Sequence, residues 1–346
     1  MRLRATRLCS LRSGVMGITA IPANINPPTI SGIGYVGTTY TASAGTWSGS
    51  PILTYQWQRN GSNIGGATSI TYVATIADEG AEIRVVETAT NMFGSASVNS
   101  AAIHRWIPTD LGAALRIWLD AKDSSTITIA TGVSSWADKS GNVNNFTQGN
   151  TSFQPSYASN RVTLDGIDDY LVGIQELSVE HAVFIAGQNR TTNTDINASI
   201  WSQDGGSNPD FWITYRSSNA TNIQSLNTLA ATSASPSVGA PFATDMVTAY
   251  QKPSMAGISI TSINGVQSTL AAAAVNGAQL GTRLVLGSQK LSVSRFAGAD
   301  IMETFIVNTR LSTDNFQRSE GYLAWRNGTI SSLDASHPYK SSPPSI

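Results

Sequence analysis

The sequence predicts an all-β chain: an N-terminal arm, a first β-sandwich, and a larger second β-sandwich with a short C-terminal helix. Three observations lead there. Short runs of alternating apolar and polar residues, broken by turn residues, fill the chain from Asn26, and a helical period appears only after Ser312. Asn60–Gly61, Asp165–Gly166 and Asn264–Gly265 lie between such runs, and these pairs are the strongest short-range hairpin signals a sequence offers. Charged residues make up only 12% of the chain, about half the usual share, and Ser, Thr, Asn and Gly take their place.

Composition narrows the classes. With 346 residues and 41% hydrophobic content the chain can build two or three real cores. A net charge of −1 and a pI near 6.3 supply no electrostatic attraction for nucleic acid or an anionic membrane. No apolar run is long enough to span a bilayer. The single Cys9 excludes an internal disulfide and a multi-cysteine zinc site. The opening stretch, MRLRATRLCSLRSGVMGITAIPA, carries four arginines but lacks the long apolar core of a secretory signal. Residues 1–25 are therefore read as an anchoring arm that packs on a neighbouring subunit.

Residues 26–103 form the first predicted domain. Pro27–Pro28 opens it. Leu53, Tyr55 and Trp57 face one way and Thr54, Gln56 and Gln58 the other. Asn60–Gly61 turns the chain before a short strand at Ile64. Ile83 and Val85 alternate after Asp78–Glu79–Gly80, and Asn91–Gly94 marks a last hairpin. The runs YQWQRNG and GATSITYVATIADEGAEIRVVETATNMFGSASV resemble bacterial and phage immunoglobulin-like domains. The resemblance implies that Trp57 is the buried tryptophan between sheets. It places the tyrosine-corner and second-cysteine positions at Glu82 and Arg84, so the disulfide is absent.

Residues 104–112 read as a linker, with Pro108 and Thr109–Asp110 as breaks. The second domain spans 113–340 and a tail follows at 341–346. In LGAALRIWLD the start could be a helical turn, while Ile117–Trp118–Leu119 begins the first strand. The segment Arg161–Leu171, RVTLDGIDDYL, reads as a hairpin about Asp165–Gly166, and the sandwich is organised around it. Further strands are expected at His181–Gly187, Ile200–Trp201, Phe211–Tyr215, Asp245–Tyr250, Gly257–Ile263, Leu284–Gly287 and Met302–Val307. Ser312 to Asp314 caps a helix over about Asp314–Arg326, with Phe316, Leu323 and Ala324 inside and Arg318 and Glu320 outside, stopped by Asn327–Gly328. The stretches ALRIWLDAKDSSTI, VSSWADKSGN, LDGIDDYL, SINGV and RLSTDNFQRSEGYLAWRNG through HPYK resemble concanavalin A-like lectin (laminin G-like) domains of phage and bacterial surface proteins. That family implies a jelly roll of two antiparallel sheets, often on virions or cell surfaces, with glycan binding in some members.

Candidate chemistry concentrates in two places. Asp165, Asp168 and Asp169 crowd one turn and could hold calcium through hard oxygen ligands, the one cofactor the residues suggest. The plainer reading, that they serve the turn itself, outweighs it; Asp120 and Asp123 receive the same discount. The loop between two tryptophans offers Trp201, Asp204, Asn208, Asp210 and Trp212 to a sugar, although core packing is the stronger account of Trp201. Glycosidases need two carboxylates facing across a groove, and no expected strand carries acids at alternating positions. Gly-x-Ser-x-Gly, His-Glu-x-x-His and phosphate-loop patterns are absent. His104, His181 and His337 sit in no nucleophile motif, and ordinary packing or surface roles are the stronger readings of all three.

The expected role is thus non-enzymatic: a phage capsid decoration protein, anchored by its arm to a major capsid protein or tail component and assembled in a reducing cytoplasm. A tail fibre or spike adhesin reading host glycans is the alternative, and a glycoside hydrolase the disfavoured third. Homo-oligomers would have to form through sandwich faces or the arm, since no heptad pattern is present.

Overall fold

The computed structural model describes residues 20–174, 177, 178, 180–190, 199–204, 209–215, 223–226, 244–252, 258–271, 283–288 and 296–346. The arm up to residue 19 lies outside them. Among them only one α-helix occurs; the rest is strand, turn and short 3-10 segments. No helix among them is long and apolar enough to cross a membrane. Contacts divide the chain into two units. The first holds the chain up to Gly34, Thr38–Ala74 and Ala81–Ile103; the second holds Tyr35–Gly37, Thr75–Gly80 and His104–Ile346.

In the first unit, β1 (Thr29–Ser31), β2 (Thr39–Ser43) and β4 (Thr71–Val73) make one antiparallel sheet. The long β5 (Glu82–Asn91) sits between β3 (Ile52–Arg59) and β6 (Gly94–Asn99) in another. Asn60 and Gly61 both adopt positive φ, 47° and 80°, the geometry of a two-residue turn after β3. Trp57 is fully buried between the rings of Tyr40 and Tyr72, at 6.0 and 5.7 Å, and its Nε1 donates to the Ser69 carbonyl. The resemblance needs one correction. Ile83 and Val85 face this core, whereas Arg84 points away and donates to Gln58 Oε1 at 2.7 Å. A shift of one residue moves a strand position to the opposite face, so Arg84 cannot stand where a core cysteine would.

In the second unit the strands are β7 (Leu115–Asp120), β8 (Ile127–Ile129), β9 (Val133–Trp136), β10 (Phe146–Thr147), β11 (Ser156–Ala158), β12 (Arg161–Asp165) and β13 (Leu171–Ile174). There follow β14 (His181–Asn189), β15 (Ser199–Asp204), β16 (Pro209–Tyr215), β17 (Ile223–Leu226), β18 (Met246–Lys252) and β19 (Ile258–Ile263). The last are β20 (Val266–Ala271), β21 (Arg283–Leu286), β22 (Gly298–Val307) and then α1 (Thr313–Asn327). One sheet runs β11-β12-β22-β14-β18-β19-β20, with β7 also on β22; the other runs β8-β9-β10-β13-β21-β15-β16-β17. The central β22 pairs with β14 along one edge, and with β12 and then β7 along the other. Alternation sends Val162, Leu164, Val183, Ile185 and Ile306 into the core between the sheets. Phe184 and Phe305 go to the opposite face, where they stack at 4.8 Å and meet Phe316 and Tyr322 of α1. The first sheet is therefore covered on one face by the second sheet and on the other, over part of its area, by the helix.

Asn264 and Gly265 form the expected two-residue hairpin turn, with φ of 52° and 83°. Asp165–Gly166 does not. Strand β12 belongs to the first sheet and β13 to the second, so the turn carries the chain from one sheet to the other. Both edges of β12 are taken, by β11 and β22, and both edges of β13 by β10 and β21. Leu164 and Leu171 still bury, but from opposite sides of the same core.

Two further expectations change. Residues 104–112 are no loose linker: Trp106 and Ile107 are buried, Pro108–Ala114 is a 3-10 segment, and the Trp106 ring meets Tyr322 edge-on at 5.6 Å. The helix is capped as read, with Ser312 accepting from the Asn315 amide and Gly328 left-handed at φ 76°. Glu320, however, faces inward and is fully buried. It takes a hydrogen bond from the Ser262 hydroxyl, and its other oxygen lies 3.5 Å from His337 Nε2. The tail after Gly328 folds back over the helix, so close that a Cβ on Gly321 would sit 2.5 Å from Tyr339. A helix buried on two sides has no outer stripe where simple amphipathic reasoning expects one.

Candidate functional site

Strands β15 and β16 pair directly, with Trp201 opposite Ile213, Ser202 opposite Trp212 and Asp204 opposite Pro209. The first sugar candidate is thus the connection of one hairpin. Trp201 is not part of a binding surface. It is fully buried in the inter-sheet core, edge-on to Phe146 at 5.2 Å, with its Nε1 donating to Thr304 Oγ1 at 3.0 Å. Asn208 lies outside the described residues, as do the side chains of Asp204, Asp210 and Trp212, for which the structure gives strand positions alone.

The three aspartates of the Asp165 turn do converge, with one carboxylate oxygen from each within 4.8 Å of the others. Oxygens of two of them, Asp165 and Asp169, already serve the backbone. Asp165 Oδ1 accepts from the amides of Ile167 and Asp168, and Asp169 Oδ2 accepts from the Asp165 amide at 3.0 Å. Burial and the neighbouring Asp165 charge push the Asp169 carboxyl up to about 6. These contacts give the cluster a sufficient role in shaping the crossover between sheets.

A third constellation went unread in the sequence. Asp120 ends β7 and stands opposite Glu303 on β22; both are fully buried on the helix-facing side of the sheet. The last turns of α1 bring Tyr322, Arg326 and Asn327 onto them. Arg326 Nη2 donates to Asp120 Oδ2 at 3.1 Å and to Glu79 Oε1 at 2.9 Å. Lys139 reaches Glu79 at 2.8 Å and Asp120 and Asp123 at 3.1 Å, and its ammonium lies 4.5 Å from the Trp118 ring centroid. Glu303 accepts from Trp118 Nε1 at 2.8 Å, Tyr322 Oη at 2.6 Å and Asn327 Nδ2 at 2.9 Å. Burial opposes charge on Arg326 and Lys139, yet Asp120 and the other carboxylates hold both well above their usual ranges. Only the strand pairing brings Asp120 and Glu303 together; neither has a second acid at an alternating position of its own strand, which is why a search for alternating carboxylates missed them.

Chemically this is a closed knot. Two carboxylates meet, but beneath a helix and saturated by donors, where a glycosidase needs them across an open groove. Burial, followed by the Asp120 charge, pushes the Glu303 carboxyl up to about 7, while Arg326, Tyr322 and Asn327 pull the other way. The sign of the linkage follows. The folded state binds a proton that the unfolded chain releases near pH 4.5, so this contribution is complete below about 4.5 and is lost as pH rises through about 7. Buried His181, pulled down to about 4 chiefly by desolvation, acts oppositely: its contribution is present above about 6.5 and lost as pH falls. The expected result is that the stability of Glu303→Gln relative to wild type rises by about 3 kcal/mol between pH 4.5 and pH 8. Urea unfolding across that range measures it, and a pH-independent difference would count against a raised Glu303.

No family model matches the chain, and no curated protein matches it. Solved structures with similar folds include Trypanosoma rangeli sialidase in complex with sialic acid, at 10% identity and TM-score 0.47, covering 87% of this chain and 53% of that one. The binding domain of botulinum neurotoxin serotype D matches at 13% identity and TM-score 0.45, covering 63% and 52%. A structure describing cell entry of botulinum neurotoxin type C through two ganglioside molecules matches at 11% and 0.44, covering 60% and 50%. The chain spans about half the length of these structures.

Proposed function

We propose that this chain is a non-enzymatic structural protein of a phage virion, displayed on the capsid surface and anchored through its N-terminal arm. One observation supports the non-enzymatic part above others. Among the described residues, two carboxylates that face each other across a strand pair, Asp120 and Glu303, are sealed under α1 and committed to Arg326, Lys139, Tyr322 and Asn327. The virion assignment draws on the resemblance of residues 26–103 and 113–340 to phage surface domains and on a fold that uses no disulfide. A tail spike or fibre adhesin is the second reading, favoured by the lectin-like sequence of the larger unit.

Cryo-EM of particles carrying the protein separates them. Density on the capsid lattice is the expected result, and density confined to the tail tip would replace decoration with adhesion. Deleting residues 1–19 is expected to leave both units folded and to remove the protein from purified particles. Undiminished incorporation of the truncated chain would overturn anchoring by the arm.

A further inference from the structure

We propose that the first unit pairs with a second copy of this chain along the free edge of β6, the two strands running antiparallel about a two-fold axis. The pairing stands whether or not the protein belongs to a virion.

Strand β6 bonds to β5 on one side, and among the described residues no strand lies on its other side. Edges of this kind are usually blunted by shortness, charge or proline. The rims of the other sheet follow that rule: β1 and β4 have three residues each, and Pro27–Pro28 precedes β1. Strand β6 has six residues, GSASVN, with neither a charge nor a proline, and Ser95, Ser97 and Asn99 are exposed.

Its backbone is set for self-pairing. The Ser100 amide donates to the Val85 carbonyl at 2.9 Å, which fixes the alternation along the β5–β6 pair. Gly94, Ala96 and Val98 therefore turn their N–H and C=O groups to β5, and Ser95, Ser97 and Asn99 turn theirs outward. An antiparallel copy with Ser97 opposite Ser97 uses all of them. Ser97 exchanges two bonds with its twin, and Ser95 exchanges two with Asn99 on either side. Opposed residues share a face, so both cores stay on the same side of the joined sheet. Hydroxyl pairs Thr88–Ser97 and Thr90–Ser95, each 2.8 Å, already order the outer face at the seam.

Three features select a second copy over another occupant. Met92 and Phe93, in the turn that leads into β6, are 88% and 43% exposed, and this register sets them beside the exposed Ala102 and Ala101 of the other copy. The edge carries no charge, so like meets like without repulsion. The third feature is where the rest of the chain joins. Asn91 Nδ2 donates to the Ala20 carbonyl at 3.0 Å, so residues 1–19, with four arginines and no acid, enter at the hairpin end of β6. Antiparallel pairing sets the two hairpin ends roughly 20 Å apart, about two Debye lengths, whereas tip-to-tip pairing would crowd the arginines together. Since β1 and β4 are too short to extend the array, the pair closes as a dimer. One strand edge and two hairpin tips bury less than the roughly 1,200 Å² of a standard stable interface. The expected dissociation constant is accordingly on the order of 10–100 µM.

Sedimentation equilibrium of the full chain from about 1 to about 300 µM tests this, with a reversible monomer–dimer equilibrium as the expected result. Ser97→Lys sets like charges face to face and is expected to weaken the dimer by about tenfold or more; Met92→Ser, which removes the apolar tip, by about threefold. Deleting residues 1–19 is expected to leave the dissociation constant unchanged. In a Cys9→Ser background, Ser97→Cys brings two thiols together across the axis, with Cα atoms about 5.5 Å apart, and oxidation is expected to give a covalent dimer. Thr54→Cys, on β3 two strands in from the edge, is expected to stay monomeric. Circular dichroism and thermal unfolding confirm that the variants fold. A monomer at every concentration, undiminished pairing of folded Ser97→Lys, no disulfide at Ser97→Cys, or loss of the dimer with residues 1–19 would overturn the assignment.

Discussion

Replacing Arg326 by Met costs about 3–5 kcal/mol of unfolding free energy. The reason is what the guanidinium leaves behind. Asp120 is fully buried and Glu79 nearly so, and Arg326 is the cation that bridges them from the last turn of α1. Met restores volume and apolar contact, so the loss reports uncompensated charge and not a cavity. Lys139 then has to serve Glu79, Asp120 and Asp123 alone. Because the cost is electrostatic, adding Asp120→Asn to Arg326→Met should recover part of it, giving a coupling that non-interacting sites do not show. Urea unfolding of the two single variants and the double variant measures both quantities. A loss of under about 1 kcal/mol, or strictly additive effects, would mean that the knot is solvated and contributes little.

That knot also marks where sequence reasoning stops. Strand alternation, Asn-Gly turns and the Ser312–Gly328 frame of the helix are local signals, and Trp57, the Asn264–Gly265 hairpin and α1 follow them. Asp165–Gly166 is equally local in appearance, yet whether a turn closes a hairpin or crosses between sheets depends on which strands already occupy the edges of β12 and β13. Glu320 looked like a surface residue because the tail that buries it lies beyond the helix in sequence. Asp120 and Glu303 needed the β7–β22 pairing. In each case a long-range contact carries the information, and one sequence on its own does not specify the register of strands so far apart.

Trp201→Ala is expected to destabilise the second unit by about 3–5 kcal/mol, and the size of that loss separates two roles for the residue. A ring at the rim of a sugar site would be partly exposed, and its truncation would cost binding while leaving stability nearly unchanged. Trp201 instead fills space between the sheets against Phe146, with Leu286 across the strand pair, so truncation opens a cavity that close-packed neighbours cannot fill. Trp201→Phe should recover most of the loss, because it keeps ring volume and gives up chiefly the hydrogen bond to Thr304, whose hydroxyl still donates to the Phe184 carbonyl. Thermal and urea unfolding of the two variants provide the comparison. A near-neutral Ala variant would return Trp201 to the surface and reopen the β15–β16 hairpin as a ligand platform; a large loss largely restored by Phe identifies it as the residue that ties the second sheet to the first.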